Sequence, residues 1–228
     1  MTTSTDNSRV HVSVLGLGYV GCVSAACLSQ VGYQVTGIDR DADKVANILS
    51  GRAPFFEPGL QELVRANVNS GRLTATEDIA AIHDADVAFV CVGTPSTRNG
   101  NIGLDQLRRV IQEMARTIVD RSKPLVVAIR STVFPGTCEE IVIPEFGGKP
   151  HVTVVSNPEF LREGTAVKDF MEPSLIVVGG EKQQAVDRVA SLYASLPMPV
   201  RKVSLRTAEM IKYACNGDIR GTLADSSP

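Results

Sequence analysis

The sequence lacks an excess of charge of either sign. Its 23 Lys and Arg residues are matched by 25 Asp and Glu residues, which gives a formal net charge of −2. Nucleic acids and anionic membranes are bound through clustered positive charge, so this balance removes the usual electrostatic reason to expect either partner. The charged fraction of 21% and the hydrophobic fraction of 43% are ordinary for a globular chain and exclude intrinsic disorder.

The sequence also lacks the cysteine pattern of a disulfide framework. It has five cysteines, an odd number, and no C-x-x-C pair. Most of them have apolar neighbours, which predicts reduced thiols packed as small hydrophobic side chains in a cytoplasmic protein, and no metal site. Residues 1–9 are polar, begin without the basic stretch of a signal peptide, and are expected to be disordered.

A charge-free stretch at residues 10–38 is long enough for a membrane helix. Five glycines interrupt it, and its hydrophobic period changes along the way. Residues 10–15 alternate as a strand does, residues 19–31 place apolar side chains on one helical face, and residues 33–38 have a strand pattern again. This order predicts a buried βαβ unit and argues against a membrane span.

Strands and helices continue to alternate along the rest of the chain. The further predicted strands cover 86–92, 125–129, 151–155, 174–178 and 200–203, and the further helices 41–50, 58–69, 104–120, 182–194 and 205–216. This alternation predicts an α/β fold with a doubly wound, mainly parallel Rossmann-type sheet over residues 10–204. Gly217 is expected to end the last helix and to leave a tail over 217–228. At about 150 residues per domain, 228 residues amount to roughly one and a half domains.

A glycine-rich turn, Gly16-Leu-Gly-Tyr-Val-Gly21, follows the first predicted strand and opens the first predicted helix. That context converts a weak G-x-G-x-x-G match into a dinucleotide-binding prediction. Gly16 permits the turn, Gly18 lets the backbone approach a pyrophosphate, and Gly21 allows close contact between helix and strand. The helix N-terminus then offers free N–H groups and a positive dipole end to the phosphates.

Asp39 ends the second predicted strand, where a carboxylate can accept hydrogen bonds from ribose hydroxyls. A carboxylate there repels a 2′-phosphate and so favours NAD over NADP, although the adjacent Arg40 could bind that phosphate. The alternative for Asp39 is the N-cap of a helix that begins near Asp41. For Lys44 the alternative is a solvated charge on that helix. The complete βαβ unit favours ribose binding by Asp39.

Hydroxyl groups follow another buried strand in the segment Arg130–Thr137. They would lie at the carboxyl edge of the sheet, where α/β proteins bind ligands. The alternative is a Pro-Gly turn whose Ser and Thr side chains cap a helix. Local sequence leaves both interpretations open.

Two carboxylates, Glu159 and Glu163, are spaced four apart after the next buried strand. On one helical face they would suit proton transfer. They could equally flank Arg162 in a surface ion pair, and spacing alone favours that alternative.

Lys212 and Asn216 are i and i+4 neighbours on the last predicted helix. An ammonium beside an amide could stabilise a developing oxyanion. The commoner explanation is a polar pair on the solvent face of an amphipathic helix.

Taken together, these segments resemble the nucleotide-sugar 6-dehydrogenases, the UDP-glucose and GDP-mannose dehydrogenase family. The resemblance runs from about Val10 to Asn216 in family order. It includes two further motifs, Phe56-Glu-Pro-Gly-Leu60 and Val92-Gly-Thr-Pro-Ser96. Arg130 before Ser131-Thr132, and Ser96 leading to Asn99-Gly100, are more similar to the GDP-mannose branch than to the UDP-glucose branch.

The resemblance implies an activity and a cofactor site. The family oxidises a sugar C6 alcohol to a carboxylate in two NAD-dependent steps, through a thiohemiacetal on a cysteine. GDP-mannose would be the favoured substrate and UDP-glucose the next. Tyr19 and Val20 would lie against the pyrophosphate of NAD, Asp39 and Lys44 on the adenosine ribose, and Thr94 near the dinucleotide.

The resemblance also implies catalytic and substrate-binding roles. Thr132 would lie by the nicotinamide and help to position a water molecule. Glu163 would act in the acid–base and thioester-hydrolysis steps. Lys212 and Asn216 would bind the substrate and stabilise the C6 oxyanion. The sugar nucleotide would be lined by Phe160, Leu161, Arg162 and Glu163.

The sequence departs from the family at its cysteines and at its C-terminal end. The family's catalytic cysteine stands in a downstream Gly-Gly-x-Cys-x-x-Lys-Asp-like motif, and none of the five cysteines here has that context. We therefore expect a truncated N-terminal half that is inactive alone and lacks most of the helix through which the homo-oligomeric family dimerises. Two other functions stay open: a stand-alone NAD-binding module with a regulatory or structural role, and another Rossmann dehydrogenase. The latter leaves the segment Asn157–Ala166 unexplained.

Overall fold

The computed structural model describes residues 10–95 and 102–224, with side chains up to Cys215. Predictions for residues 1–9, Ser96, Asn99-Gly100, the side chain of Asn216 and residues 225–228 lie outside the described part. The strands are β1 His11–Leu15, β2 Gln34–Ile38, β3 Leu73–Thr76, β4 Val87–Val90, β5 Leu125–Ile129, β6 Val152–Ser156, β7 Ile176–Gly179 and β8 Val200–Val203. The helices are α1 Tyr19–Gln30, α2 Ala42–Leu49, α3 Leu60–Asn69, α4 Asp105–Thr117, α5 Ile143–Glu145, α6 Ala166–Met171, α7 Gln183–Ser191 and α8 Leu205–Ala224. A 3-10 helix, Ile79–Asp84, and a π-helical turn, Cys138–Val142, complete them.

The strands form one sheet in the order β3-β2-β1-β4-β5-β6-β7-β8. Neighbouring strands are parallel except β6 and β7, which are antiparallel and share the single register pair Ser156 and Gly179. The chain runs outward from β1 to β3 and then returns to β4 beside β1. A crevice opens at such a reversal of strand order, outside the carboxyl ends of the two strands. The predicted doubly wound, mainly parallel α/β fold is confirmed.

The core lies on both faces of this sheet. Every residue of β4 and β5 is buried, as expected for parallel strands covered by helices on both sides. One face packs Val14 and Phe89 against α1, and the other packs Leu15 and Ile129 against α4. The charge-free stretch is therefore the centre of the domain. Within the described residues, none of the helices has both the length and the apolar character to cross a membrane.

Several segments differ from the sequence predictions. The edge strand β3 was not predicted, because its two buried residues alternate with threonines and give no continuous apolar run. The segment 157–165 is a loop and a turn, so the shared helical face predicted for Glu159 and Glu163 is wrong. The predicted stop at Gly217 is wrong too, because α8 continues to Ala224. An interior glycine costs a helix about 1 kcal/mol and does not forbid it.

Candidate active site

The glycine-rich turn between β1 and α1 has two glycines that the backbone requires and one that faces open space. Gly16 has a φ of +92°, and a Cβ there would lie 3.0 Å from the carbonyl oxygen of Cys91. A Cβ on Gly21 would lie 1.8 Å from the carbonyl oxygen of Gly16. Among the described residues, and apart from its neighbours along the chain, no atom lies within 4 Å of the Cβ position of Gly18. Gly16 and Gly21 therefore shape the turn, and Gly18 leaves room for a ligand.

The N-terminus of α1 faces the open space at Gly18. Its N-cap residue is Gly18, which offers no side-chain hydrogen bond, and no acidic side chain lies in the first turn. Free N–H groups and the positive end of the helix dipole together favour an anion such as a phosphate.

Asp39 connects this turn to the end of β2. Its carboxylate accepts from Leu17 N at 2.6 Å and from Asp41 N at 3.0 Å. Lys44 Nζ lies 3.4 Å from it. The N-cap of α2 is Asp41, which accepts from Asp43 N and Lys44 N, so the alternative role for Asp39 is wrong. Lys44 is 35% exposed and pairs with both Asp39 and Asp41, so the charge suggested for the helix surface is only partly solvated.

These groups surround a cleft of about 290 Å³ at the carboxyl ends of β1, β2 and β4. Ile38, Ile79 and Val110 give it an apolar wall, while Gly18 and Asp39 lie on its polar side. At the same cleft, Arg40 is hydrogen-bonded to Glu113. That partner competes with any phosphate for the Arg40 guanidinium.

Two hydroxyl-bearing loops meet beside the cleft. Thr94 Oγ1 donates to the carbonyl oxygen of Thr132 at 2.8 Å, and Ser131 Oγ donates to that of Val92 at 2.6 Å. The loops after β4 and β5 are thereby joined at the carboxyl edge of the sheet.

The alternative for the Arg130–Thr137 segment was a turn whose Ser and Thr side chains cap a helix, and only the turn is observed. Gly136 does make a turn, with a φ of +97°. No Ser or Thr side chain caps the helical segment that follows. The buried carboxylate of Glu209 on α8 does so instead, accepting from Gly136 N at 2.5 Å and Cys138 N at 2.8 Å.

Lys212 lies inside the protein, so the solvent-face interpretation of this residue is wrong. Its Nζ lies 3.0 Å from Glu159 Oε1, and the two side chains are 9% and 10% exposed. The ammonium is also 5.4 Å from the centre of the Phe160 ring. Glu159 Oε2 accepts from Leu161 N at 2.7 Å, which fixes the carboxylate at the start of the loop. A desolvated, paired ammonium at a sheet edge is well suited to stabilise a negatively charged oxygen.

Arg162 pairs with Asp169 on α6, so the predicted ion pair with Glu159 and Glu163 is wrong. Its guanidinium makes two bonds to that carboxylate, at 3.0 Å and 2.7 Å. The hydrogen bond from Arg162 holds the pKa of Asp169 below its ordinary value. Glu163 is exposed in the turn before α6. Leu161 and Val20 contribute to the packing against the core.

A buried network lies behind this loop. Arg130 Nη1 donates to Asn157 Oδ1 at 2.8 Å and to the Tyr193 hydroxyl at 2.7 Å, and its guanidinium lies 5.2 Å from the centre of the Phe89 ring. Asn157 Nδ2 donates to the carbonyl oxygen of Val177 at 2.8 Å. The network ties the ends of β5, β6 and β7 together beneath the loop.

Comparison with known proteins identifies the domain that this geometry forms. Residues 10–197 match the family model described as "UDP-glucose/GDP-mannose dehydrogenase family, NAD binding domain". The chain belongs to this family. The matched range includes every strand of the sheet but β8 and all the residues named for the cleft, and NAD is the cofactor of this domain.

Relatives within the family cover the chain almost completely. The GDP-mannose 6-dehydrogenase of Azotobacter vinelandii is 42% identical over 91% of this chain and 49% of its own length. The UDP-glucose 6-dehydrogenase of Haloferax volcanii is 39% identical over 91% and 50%. A ternary-complex crystal structure of GDP-mannose dehydrogenase from Pseudomonas aeruginosa superimposes with a TM-score of 0.90 at 41% identity, over 93% of this chain and 50% of that one. The chain thus spans about half the length of the relatives it matches.

The cleft suits the NAD of this family. The open space at Gly18 and the uncapped α1 N-terminus are what the pyrophosphate of a dinucleotide requires, and the Asp39 carboxylate lines the same cleft.

Three residues that bond to the site residues were not predicted from the sequence. Glu57, Asp169 and Tyr193 each bond to a residue far away along the chain or on another element, and no periodic pattern marks such contacts. Only Glu57 had a local signal, since it is an acidic residue inside the motif Phe56–Leu60.

Proposed function

We propose that this chain forms the NAD-binding half of a nucleotide-sugar 6-dehydrogenase, which oxidises a sugar C6 alcohol to the uronic acid. GDP-mannose is the favoured substrate and UDP-glucose the next. The observation that carries the proposal is the buried Lys212–Glu159 pair, 3.0 Å across, at the same sheet edge as the NAD cleft. The identities to GDP-mannose and UDP-glucose 6-dehydrogenases support the choice of substrates.

On this proposal the cofactor is held by two groups of residues. Tyr19 and Val20, in the first turn of α1, lie against the pyrophosphate. Asp39 and Lys44 bind the adenosine ribose, and Thr94 lies near the dinucleotide. Bound NAD supplies the hydride acceptor.

The chain's own residues handle the substrate. Phe160, Leu161 and Arg162 line the sugar nucleotide, and they surround a small cavity of about 50 Å³ that Arg130 also lines. Lys212, with Asn216 one turn further along α8, stabilises the oxygen of C6 as its proton leaves. Thr132 positions a water molecule near the nicotinamide. Glu163 takes up and returns protons, which its exposed place in the turn before α6 permits.

The cysteines support a division of labour between this half and another. Burial raises the pKa of Cys22, Cys27 and Cys91 to about 12. Burial, together with the neighbouring Glu209, also raises the pKa of Cys138. A thiol that stays protonated is a poor nucleophile. The fifth cysteine, Cys215, is exposed on α8 and lacks the sequence context of the family's catalytic cysteine. We therefore propose that these 228 residues alone do not complete the second oxidation, which needs a covalent thiol intermediate.

Incubation with NAD and either GDP-mannose or UDP-glucose tests the proposal, with NADH absorbance and sugar-acid product as readouts. We expect NADH binding, protection against thermal unfolding by GDP-mannose in the presence of NADH, and no sustained sugar-acid production. Lys212→Met should abolish the protection by sugar nucleotide and keep that by NADH. Protection by NADH alone would favour a stand-alone NAD-binding module, and sustained product would contradict the division of labour.

Location and assembly complete the proposal. The reduced cysteines support a cytoplasmic protein. The resemblance to homo-oligomeric dehydrogenases supports self-association of the enzyme of which these residues form one half.

A further inference from the structure

Glu57 is a buried carboxylate that has no direct role in the proposed chemistry. It lies just before α3 and is 4% exposed. It accepts hydrogen bonds from the Tyr19 hydroxyl, from Gly164 N at 2.9 Å and from Ala166 N at 2.8 Å. Burial by itself would raise the pKa of Glu57, but these hydrogen bonds outweigh it and lower the pKa. The side chain is therefore ionised at neutral pH and strongly bound to its donors.

The donors belong to two functional segments. Tyr19 is the first residue of α1, in the glycine-rich turn. Gly164 and Ala166 end the loop that carries the substrate-lining residues 160–162 and Glu163. The Tyr19 hydroxyl also accepts from Gly164 N at 3.2 Å, so the phenol, the carboxylate and the loop amide form a closed triangle. The side chain of Glu57, just before α3, thus joins the glycine-rich turn to the loop 160–166.

The loop has a second anchor that reaches only its own neighbourhood. Asp169 on α6 binds the Arg162 side chain and the Thr165 hydroxyl, at 2.7 Å and 3.1 Å. Both lie within seven residues of it. Gly164 itself has a φ of +84°, so the direction in which Glu163 leaves the turn depends on how this peptide is held. Glu57 holds it from the cofactor side.

We infer that Glu57 is a positioning residue that couples dinucleotide binding at the glycine-rich turn to the order of loop 160–166, an inference that rests on the proposed function. NAD at the α1 N-terminus restricts Tyr19. The ordered phenol fixes the Glu57 carboxylate, and the carboxylate then holds the Gly164 and Ala166 amides. Bound cofactor thereby lowers the conformational entropy that the substrate loop loses when the sugar nucleotide binds. The coupling is reciprocal, so a sugar nucleotide on the loop strengthens NAD binding.

Amide exchange followed by NMR tests the coupling in the full 228-residue chain. Saturating NADH should slow exchange at Gly164 and Ala166 at least fivefold, the lower end of coupling factors of about 5–150. In Glu57→Gln and in Tyr19→Phe the factor should fall below about twofold, with saturation verified by NADH fluorescence. Tyr19→Phe removes a single hydroxyl and decides the matter if Glu57→Gln does not fold.

Asp86→Asn is the matched control. Asp86 is a half-buried carboxylate at the opposite edge of the sheet. It accepts from His11 N at 2.9 Å and pairs with Lys123 at 3.1 Å. Its variant should lower the unfolding temperature and keep the full NADH-dependent protection at Gly164. Protection that persists unchanged in Glu57→Gln, or wild-type chain that binds NADH without slowing these amides, overturns the coupling alone. Wild-type chain that binds no NADH overturns the proposed function and the coupling with it.

Discussion

At the scale of single residues, the proposed role of Asp39 is to select the dinucleotide. Its carboxylate is fixed by Leu17 N and by Lys44 and lies on the polar side of the cleft. Hydrogen bonds to charged groups contribute about 1.5–3 kcal/mol, so Asp39→Asn should weaken NADH binding by roughly 10- to 100-fold. The preference for NADH over NADPH should shrink as well, because the repulsion of a 2′-phosphate is removed. Fluorescence titration with both dinucleotides measures these changes.

Asp41→Ala provides the comparison for that prediction. It removes the N-cap of α2, which costs about 1 kcal/mol of stability, and leaves the ribose-facing carboxylate in place. NADH affinity should therefore stay at the wild-type value. Equal losses of affinity in the two variants would show that the carboxylate of Asp39 acts only through the stability of the turn.

At the scale of elements, we expect two glycines of the turn before α1 to have different roles, Gly18 in binding and Gly21 in folding. Gly18 has φ −71°, which alanine adopts readily, and open space at its Cβ position. Gly18→Ala should therefore leave the free energy of unfolding within about 1 kcal/mol of wild type and weaken NADH binding at least about tenfold, because the methyl group fills the pyrophosphate space. Gly21→Ala would set a methyl carbon 1.8 Å from a backbone oxygen and should destabilise by about 1–3 kcal/mol or more. Urea unfolding and NADH titration of both variants test this; a Gly18→Ala variant with full affinity would contradict it.

The same elements show what the sequence could predict. The strands β1 and β2 were found from their strand-like alternation around the glycine-rich turn, and β4 and β5 because parallel strands covered on both faces are nearly continuous apolar runs. The glycine-rich turn was found because its spacing is a local backbone requirement. The segment 157–165, which contains Pro158 and Gly164, was misassigned. It is a loop whose shape depends on hydrogen bonds to Glu57 and Asp169, and both of these residues lie outside it. Lys212 was singled out through resemblance, but its burial was not predicted, because it depends on the pair with Glu159 that joins α8 to the end of β6.

At the scale of the whole molecule, the sheet has one weak junction. The strands β7 and β8 join the rest of the sheet through a single antiparallel register pair, whereas every other neighbouring pair is longer. The buried network bridges this junction: Asn157 after β6 accepts from Arg130 and Tyr193 and donates to Val177 on β7. Side-chain hydrogen bonds therefore do at this point what backbone pairing does elsewhere.

Asn157→Ala should loosen the junction selectively. The change leaves the buried guanidinium of Arg130 with one partner fewer and should cost about 3 kcal/mol or more. Amide exchange in β7 and β8 should accelerate much more than exchange in β1 and β4, since β7 and β8 lose their attachment to the sheet while the central strands keep theirs. The matched control is Asn67→Ala, which removes a fully buried asparagine bonded to Arg72 at the other side of the sheet. It should lower global stability and leave β7 and β8 no more exchangeable than the central strands. If Asn157→Ala accelerates exchange evenly across all eight strands, the network stabilises the domain as a whole and the junction is not its weak point.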